Sequence, residues 1–240
     1  TRTESDLIGS REVPESALYG VQTLRGIENF RISKFHLNEY PLFIQALAIT
    51  KMGAAVANRE LDLLTEEQTD AILRACKEIL EGKHREQFPV DMIQGGAGTT
   101  TNMNINEVVA NRALELMGHQ RGEYQYCSPN DHVNRSQSTN DAYPTAIHIG
   151  LYYTHLKLVK HFEVLIEAFR KKGSEFAHII KMGRTQLEDA VPMTLGQTFN
   201  GFASILEHEV KNLDFAAQDF LTVNMGATAI GTGITAEPEY

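Results

Sequence analysis

The amino-acid sequence predicts an all-α protein, and three observations lead there. From about Asp141 to Lys172, apolar residues recur at three- and four-residue steps, at Ile149, Tyr152, Leu156, Val159, Ile166 and Phe169, the spacing of one helix face. A second long run, with Leu195, Phe199, Phe202, Leu206, Val210, Leu213 and Phe220, repeats the pattern. Each run is about 25–30 residues, or roughly 40 Å at helical rise, and the short polar segment between them implies an antiparallel pair. Third, no stretch of the 240 residues alternates convincingly between apolar and polar positions, so strands are not expected.

The elements follow in order. Residues 1–40 are mixed and punctuated, with Glu12-Val13-Pro14 and Tyr19-Gly20-Val21-Gln22-Thr23 reading as irregular chain and a short element, an arm packed on the rest; Gly20 and Asn29 read as turn residues. From Pro41 to Leu61, the residues Phe43, Ile44, Leu47, Met52, Ala55 and Val56 predict a helix. Thr65-Glu66-Glu67-Gln68 is a capping-box start. The helix it opens carries Ile72, Leu73, Cys76, Ile79 and Leu80 on one face and stops near Gly82. This pair reads as scaffold without chemistry. Another helix, with Val108, Val109, Ala113, Leu116 and Met117, ends at Gly118. Asn224 to Tyr240 is a Gly- and Thr-rich connector. The expected division is an N-terminal, mostly helical domain over 1–140 and the first part of a central long-helix bundle over 141–240. Two bundle helices cannot cover each other's apolar stripes, so the covering helices are expected from other subunits or from sequence beyond Tyr240.

The formal charge is −9, and an acidic chain without a basic cluster argues against nucleic acid and anionic membrane as partners. An anionic small molecule would have to be held by local groups, against the overall field. The two cysteines, Cys76 and Cys127, stand in no metal-spaced or C-x-x-C pattern, which suits a reduced, cytoplasmic setting. No apolar run approaches the length of a membrane span, and no secretory signal is legible. His148, His155 and His161 lie along one helix at a spacing too wide for a single metal, and read as solvated or interface residues.

Three polar segments stand beside helix ends. Ser136-Gln137-Ser138-Thr139-Asn140-Asp141 opens the longest helix, preceded by Ser128-Pro129-Asn130-Asp131-His132-Val133-Asn134. Its hydroxyls and amides meet the unpaired N–H groups and the positive dipole end of that helix, a setting for a carboxylate. An ordinary N-cap is the competing reading, above all for Asp141. Gln94-Gly95-Gly96-Ala97-Gly98-Thr99-Thr100-Thr101-Asn102-Met103-Asn104 is a second. It lacks the Gly-Lys-Ser/Thr end of a phosphate loop and a preceding strand, which leaves a hydroxyl-rich anion site or a structural loop. The third, Lys181-Met182-Gly183-Arg184-Thr185-Gln186-Leu187-Glu188-Asp189-Ala190, is closed by Pro192. Arg184 supplies either charge near a ligand or a structural ion pair.

In combination and order these segments resemble the aspartase/fumarase superfamily over essentially the whole chain, from Tyr19-Gly20-Val21-Gln22-Thr23 to the Gly-Thr-Gly near the end. Ser138-Thr139-Asn140, where fumarases typically show Ser-Ser-Asn, and Gly96-Ala97-Gly98-Thr99, where they more often show Gly-Ser-Gly-Thr, place the resemblance nearest the aspartase branch. The resemblance implies a homotetramer on a long-helix core, with each active site assembled from loops of three subunits. It implies reversible anti-elimination of ammonia from L-aspartate to fumarate, with no organic cofactor required and divalent-cation (Mg) activation in the family; a protein metal site is not expected. By position, Thr99, Ser138 and Thr139 would hold the β-carboxylate and stabilise the aci-carboxylate. Asn140, with Thr99, would bind the amino group, and Thr185 the α-carboxylate. Asn130 and Asp131 match a segment that forms an accessory carboxylate site in fumarases.

Two departures matter. Many members carry His after the Thr of the third motif, whereas here Gln186 stands, which can orient a group but not act as an acid. An ammonium needs less acid assistance to leave than a hydroxide, so Gln186 fits an ammonia-lyase better. The family's general base is a serine on a mobile Gly-Ser-Ser loop with a substrate-binding Lys and Asn, and no such segment occurs in these 240 residues; they are not expected to catalyse alone. A fumarase, and a non-catalytic assembly module that keeps the fold without the chemistry, remain the alternatives.

Overall fold

The computed structural model describes residues 1–96 and 98–240. The ordered elements are β1 (Arg2–Asp6), β2 (Gly9–Val13), α1 (Val21–Asn29), α2 (Pro41–Glu60), α3 (Glu66–Leu80), α4 (Thr99–Leu116), α5 (Thr139–Glu175), β3 (Ile180–Thr185), β4 (Glu188–Thr194) and α6 (Leu195–Ala217). Two compact units result, one of residues 1–150 with 223–240 and one of residues 151–222. Among the described residues no helix is long and apolar enough to cross a membrane.

In the first unit α2, α3 and α4 enclose a core that includes Leu47, Ile72, Cys76, Ile79, Ile105, Val108 and Leu114. The expected capping box is present: Thr65 Oγ1 accepts the Gln68 N–H at 3.2 Å, and Gln68 Oε1 accepts the Thr65 N–H at 3.1 Å. Helix α4 is buried nearly all round, although Asn102, Asn104, Asn106, Glu107 and Asn111 lie along it. Buried polar groups usually find partners, and apart from the Oδ1 atoms of Asn104 and Asn106, which have none among the described residues, most of these find them in chain segments outside the helix. Asn104 Nδ2 donates to the Gln87 carbonyl at 2.9 Å, and Asn111 Nδ2 to the Leu18 carbonyl at 2.8 Å. The Glu107 carboxylate accepts the N–H groups of Gly20 (2.9 Å), Gln22 (2.8 Å) and Thr23 (3.0 Å). It thereby caps α1, whose own N-cap is Gly20 and offers no side chain. Glu4 Oε2 accepts the Val21 N–H at 3.0 Å from the other side. A Cβ on Gly20 would lie 2.5 Å from Glu4 Oε2 and 2.9 Å from Glu107 Cδ, so the residue taken as a turn glycine is the gap through which two carboxylates reach one helix start.

In the second unit α5 and α6 run antiparallel, as expected. His155 meets Asp214 at 2.9 Å and Arg170 meets Glu207 at 2.7 Å, so residue numbers rise on one helix as they fall on the other. The backbones touch where a Cβ on Gly196 would stand 2.3 Å from the Gly173 carbonyl. Phe169 packs against Phe199 and Phe202. Leu158, Val164, Phe202, Ile205 and Phe215 stay exposed; of these only Phe202 belongs to the expected stripes, and the others are apolar residues off that face.

The absence of strands was expected, and two antiparallel hairpins correct it. β1 pairs with β2 from Arg2 opposite Val13 to Asp6 opposite Gly9, and β3 with β4 from Ile180 opposite Thr194 to Thr185 opposite Glu188. Residues of β3 and β4 are exposed on both faces, so no apolar alternation marks them. Their turn places Gln186 (φ +47°) and Leu187 (φ +67°) in the left-handed region, the geometry of a two-residue hairpin, but without the Asn-Gly or Asp-Gly that announces one. Pro192 stands in β4 opposite Met182, tolerated because a two-stranded sheet is all edge.

Candidate active site

Two helix starts converge in the first unit. Helix α4 begins at Thr99 behind Gly98, which takes φ +88° and provides no capping side chain. A Cβ on Gly98 would enter the Tyr143 ring at 2.5 Å, so the α4 start lies directly against the first turns of α5. Gln94 shapes the approach: Oε1 accepts the Thr101 N–H at 2.8 Å and Nε2 donates to Thr101 Oγ1 at 2.8 Å. Ala97 of the Gly-Ala-Gly-Thr marker lies outside the described residues.

At the start of α5 the contacts are those of a helix cap. Ser138 Oγ accepts the Asn140 N–H at 3.2 Å, and Asp141 Oδ1 accepts the Ser138 N–H at 2.9 Å, so Asp141 is a helix-start residue. Thr139 Oγ1 accepts from Asn102 Nδ2 at 3.2 Å, which ties the start of α5 to α4. Each hydroxyl is held through its oxygen and keeps its proton to donate. Two helix dipoles add positive potential in the same place.

Behind this pair is a residue that the sequence reading passed over. Lys51, 1 % exposed, donates from Nζ to Asn102 Oδ1 (2.8 Å), Asn134 Oδ1 (3.0 Å) and Gln137 Oε1 (2.8 Å). Asn134 Oδ1 also accepts from Asn102 and Asn106, each at 3.1 Å. The Lys51 amino group thus fixes the loop before α5 to α4 and to α2, and through Asn102 it orients Thr139. The signal was there: Ile44, Leu47, Lys51, Ala54 and Ala55 share the buried face of α2, and a lone Lys on such a face needs partners. The helix pair read as bare scaffold therefore carries a positioning residue.

Burial pulls the Lys51 pKa down to about 7, against the opposing pull of Asp141. An unfolded lysine titrates near 10.4, so between about pH 7 and 10 the unfolded chain holds a proton that the folded chain has released. Stability from this group therefore rises with pH across that window. Urea titrations at pH 7 and 8.5 should show the wild type gaining on Lys51→Met at the higher pH. A gap independent of pH would show that the ammonium keeps its ordinary pKa.

Asn130 and Asp131 are exposed on a short helical turn, Pro129–Val133, whose cap Ser128 accepts both their N–H groups, at 3.3 and 3.1 Å. With Arg135 and Ser136 they line a polar cleft of about 290 Å³. His132 Nδ1 accepts the Ser128 N–H at 2.7 Å, and burial lowers its pKa, which suits a neutral ring. Thr185 and Gln186 belong to the second unit, where Thr185 ends β3 and Gln186 begins its turn. Arg184 pairs with Asp189 at 3.2 Å, the structural alternative. Among the described residues no group of three or more His, Cys, Asp or Glu side chains is placed to hold a metal ion.

A family model described as Lyase matches residues 9–240. The chain is 58 % identical over 240 residues to an aspartate ammonia-lyase of Pseudomonas canavaninivorans, covering 100 % of this chain and 51 % of that protein. It is 56 % identical over the same length to an aspartate ammonia-lyase of Escherichia coli strain K12, covering 50 % of it. Among solved structures, it matches a fumarate lyase:delta crystallin from Brucella melitensis bound to cobalt with a TM-score of 0.95 and 51 % identity, over 100 % of this chain and 52 % of that one. It matches a recombinant class II fumarase from Schistosoma mansoni with a TM-score of 0.89 and 37 % identity, over 99 % and 50 %. The chain spans about half the length of the curated relatives it matches.

Proposed function

The chain belongs to this lyase family, and from that premise we propose that it is part of an aspartate ammonia-lyase, which eliminates ammonia from L-aspartate to give fumarate. The observation that carries the reading is the Asn102–Thr139 hydrogen bond, at 3.2 Å, between two helix starts lined by hydroxyl groups. In this reaction a base removes a Cβ proton, charge accumulates on the β-carboxylate, and the Cα–N bond breaks with its electrons leaving on ammonia. The hydroxyls of Thr99, Ser138 and Thr139 and the two helix starts are donors suited to that charge, which grows toward the transition state.

Asn140 would accept from the amino group, Thr185 would hold the α-carboxylate, and Gln186 would orient it. The polar cleft at Asn130 and Asp131 would be the accessory carboxylate site. The general base would be a serine of a segment other than these 240 residues. We propose a cytoplasmic homotetramer whose sites combine loops of three subunits, a reading supported by the exposed apolar residues of α5 and α6. No organic cofactor has a step in this scheme, and a divalent cation would act as an activator.

The test is to incubate the intact natural protein with fumarate and ammonium and follow the products by NMR. Aspartate without malate is the expected result. Malate would transfer the reading to fumarate hydration, and the absence of both products would leave an intact scaffold with an idle site.

A further inference from the structure

Residues 223–240 pack on the first unit and meet the start of α5 at three points in two consecutive residues. Ala229 O accepts from Asn140 Nδ2 at 2.7 Å, Asn224 Nδ2 donates to the Asn140 carbonyl at 3.1 Å, and Thr228 N donates to Asp141 Oδ2 at 2.8 Å. The second contact has a cause in the sequence. Pro144 lies inside α5 and has no N–H, so the carbonyl four residues back, that of Asn140, lacks its helical donor. Asn224 fills the place. The third contact makes Asp141 a bridge, since its other oxygen accepts the Ser138 N–H at 2.9 Å. Thr228 takes φ +58° to reach it and is buried, an uncommon conformation for a β-branched residue.

The first contact sets the direction of the Asn140 side chain. A backbone carbonyl can only accept, so the amide NH₂ of Asn140 faces Ala229, and its Oδ1, which takes no hydrogen bond among the described residues, is turned away from the strap. We propose that the Asn224–Ala229 strap is a positioning device that presents Asn140 as a hydrogen-bond acceptor, and so selects a substrate carrying an ammonium group. An amide free to rotate would present NH₂ as readily as oxygen, and NH₂ repels an ammonium. Asn224 acts through Asn140 and is not itself in contact with the reacting atoms. The inference rests on the ammonia-lyase reading and adds the element that fixes its amino-group specificity.

The test uses the intact natural protein with Asn224→Ala, and compares L-aspartate, which has the ammonium group, with fumarate, which lacks it. The expected result is a KM for aspartate raised about tenfold, with the Ki of fumarate as a competitive inhibitor unchanged within about twofold. If both constants move by the same factor, the strap only supports the loop; if neither moves, it does not hold Asn140. Either result overturns the inference while the ammonia-lyase reading stands. A wild type that does not turn over aspartate overturns both. Should Asn224→Ala fail to fold, Asn224→Asp, which keeps the shape but loses the donor, is measured in its place.

Discussion

Alanine at Thr99, Ser138 or Thr139 is expected to lower kcat/KM for aspartate by about 10²–10³-fold in the intact protein, the loss of about 2.7–4 kcal/mol typical of one donor to a developing oxyanion. The hydroxyl protons of Ser138 and Thr139 are free to act because their oxygens already accept from Asn140 N–H and Asn102 Nδ2. A purely structural role predicts something different. Loss of the Ser138 cap would cost about 1 kcal/mol of stability and leave turnover per folded molecule unchanged. Steady-state kinetics beside a urea titration separate the two. Unchanged turnover in the variant with all three substitutions would remove these residues from the site.

Glu107→Ala is expected to destabilise the chain by about 3–5 kcal/mol, from orphaning backbone donors at about 1–3 kcal/mol for each buried one. The carboxylate is 2 % exposed and accepts three N–H groups at the start of α1. Burial raises its pKa, so removing it relieves some desolvation. Alanine, however, leaves two buried donors, Gly20 and Thr23, and the half-buried Gln22 N–H without an acceptor, with a cavity beside them, and each buried orphaned donor costs about 1–3 kcal/mol. The loss therefore outweighs the relief. Glu107→Gln keeps the shape but turns one acceptor into a donor facing a backbone N–H, and should cost about 1–3 kcal/mol. Chemical denaturation followed by circular dichroism measures both; an alanine variant as stable as the wild type would show that water replaces the carboxylate at no cost.

These residues also mark how far the sequence was legible. Whatever depends on neighbouring residues could be read: the Thr65–Gln68 box, the periodicity of α2 to α6, and the hydroxyl-rich starts of α4 and α5. The contacts that complete the site span long stretches of chain and leave no local trace. Glu107 caps a helix more than eighty residues upstream, and Ala229 reaches back 89 residues to Asn140. The hairpins were missed for another reason, since strands exposed on both faces carry no alternation to detect. Lys51 was legible in principle, as a lone charge on a buried helix face, but apolar periodicity alone does not say what a polar intruder is for.

The strap also has a meaning in time. Asn140 leaves the ribosome 89 residues ahead of Ala229, an interval of about 4–18 s at ordinary synthesis rates of roughly 5–20 residues per second. During that interval the nascent chain has Pro144 in place and an Asn140 carbonyl with no donor from the helix or from Asn224. The start of α5 is therefore finished from behind, by a segment synthesised only after the whole of the second unit.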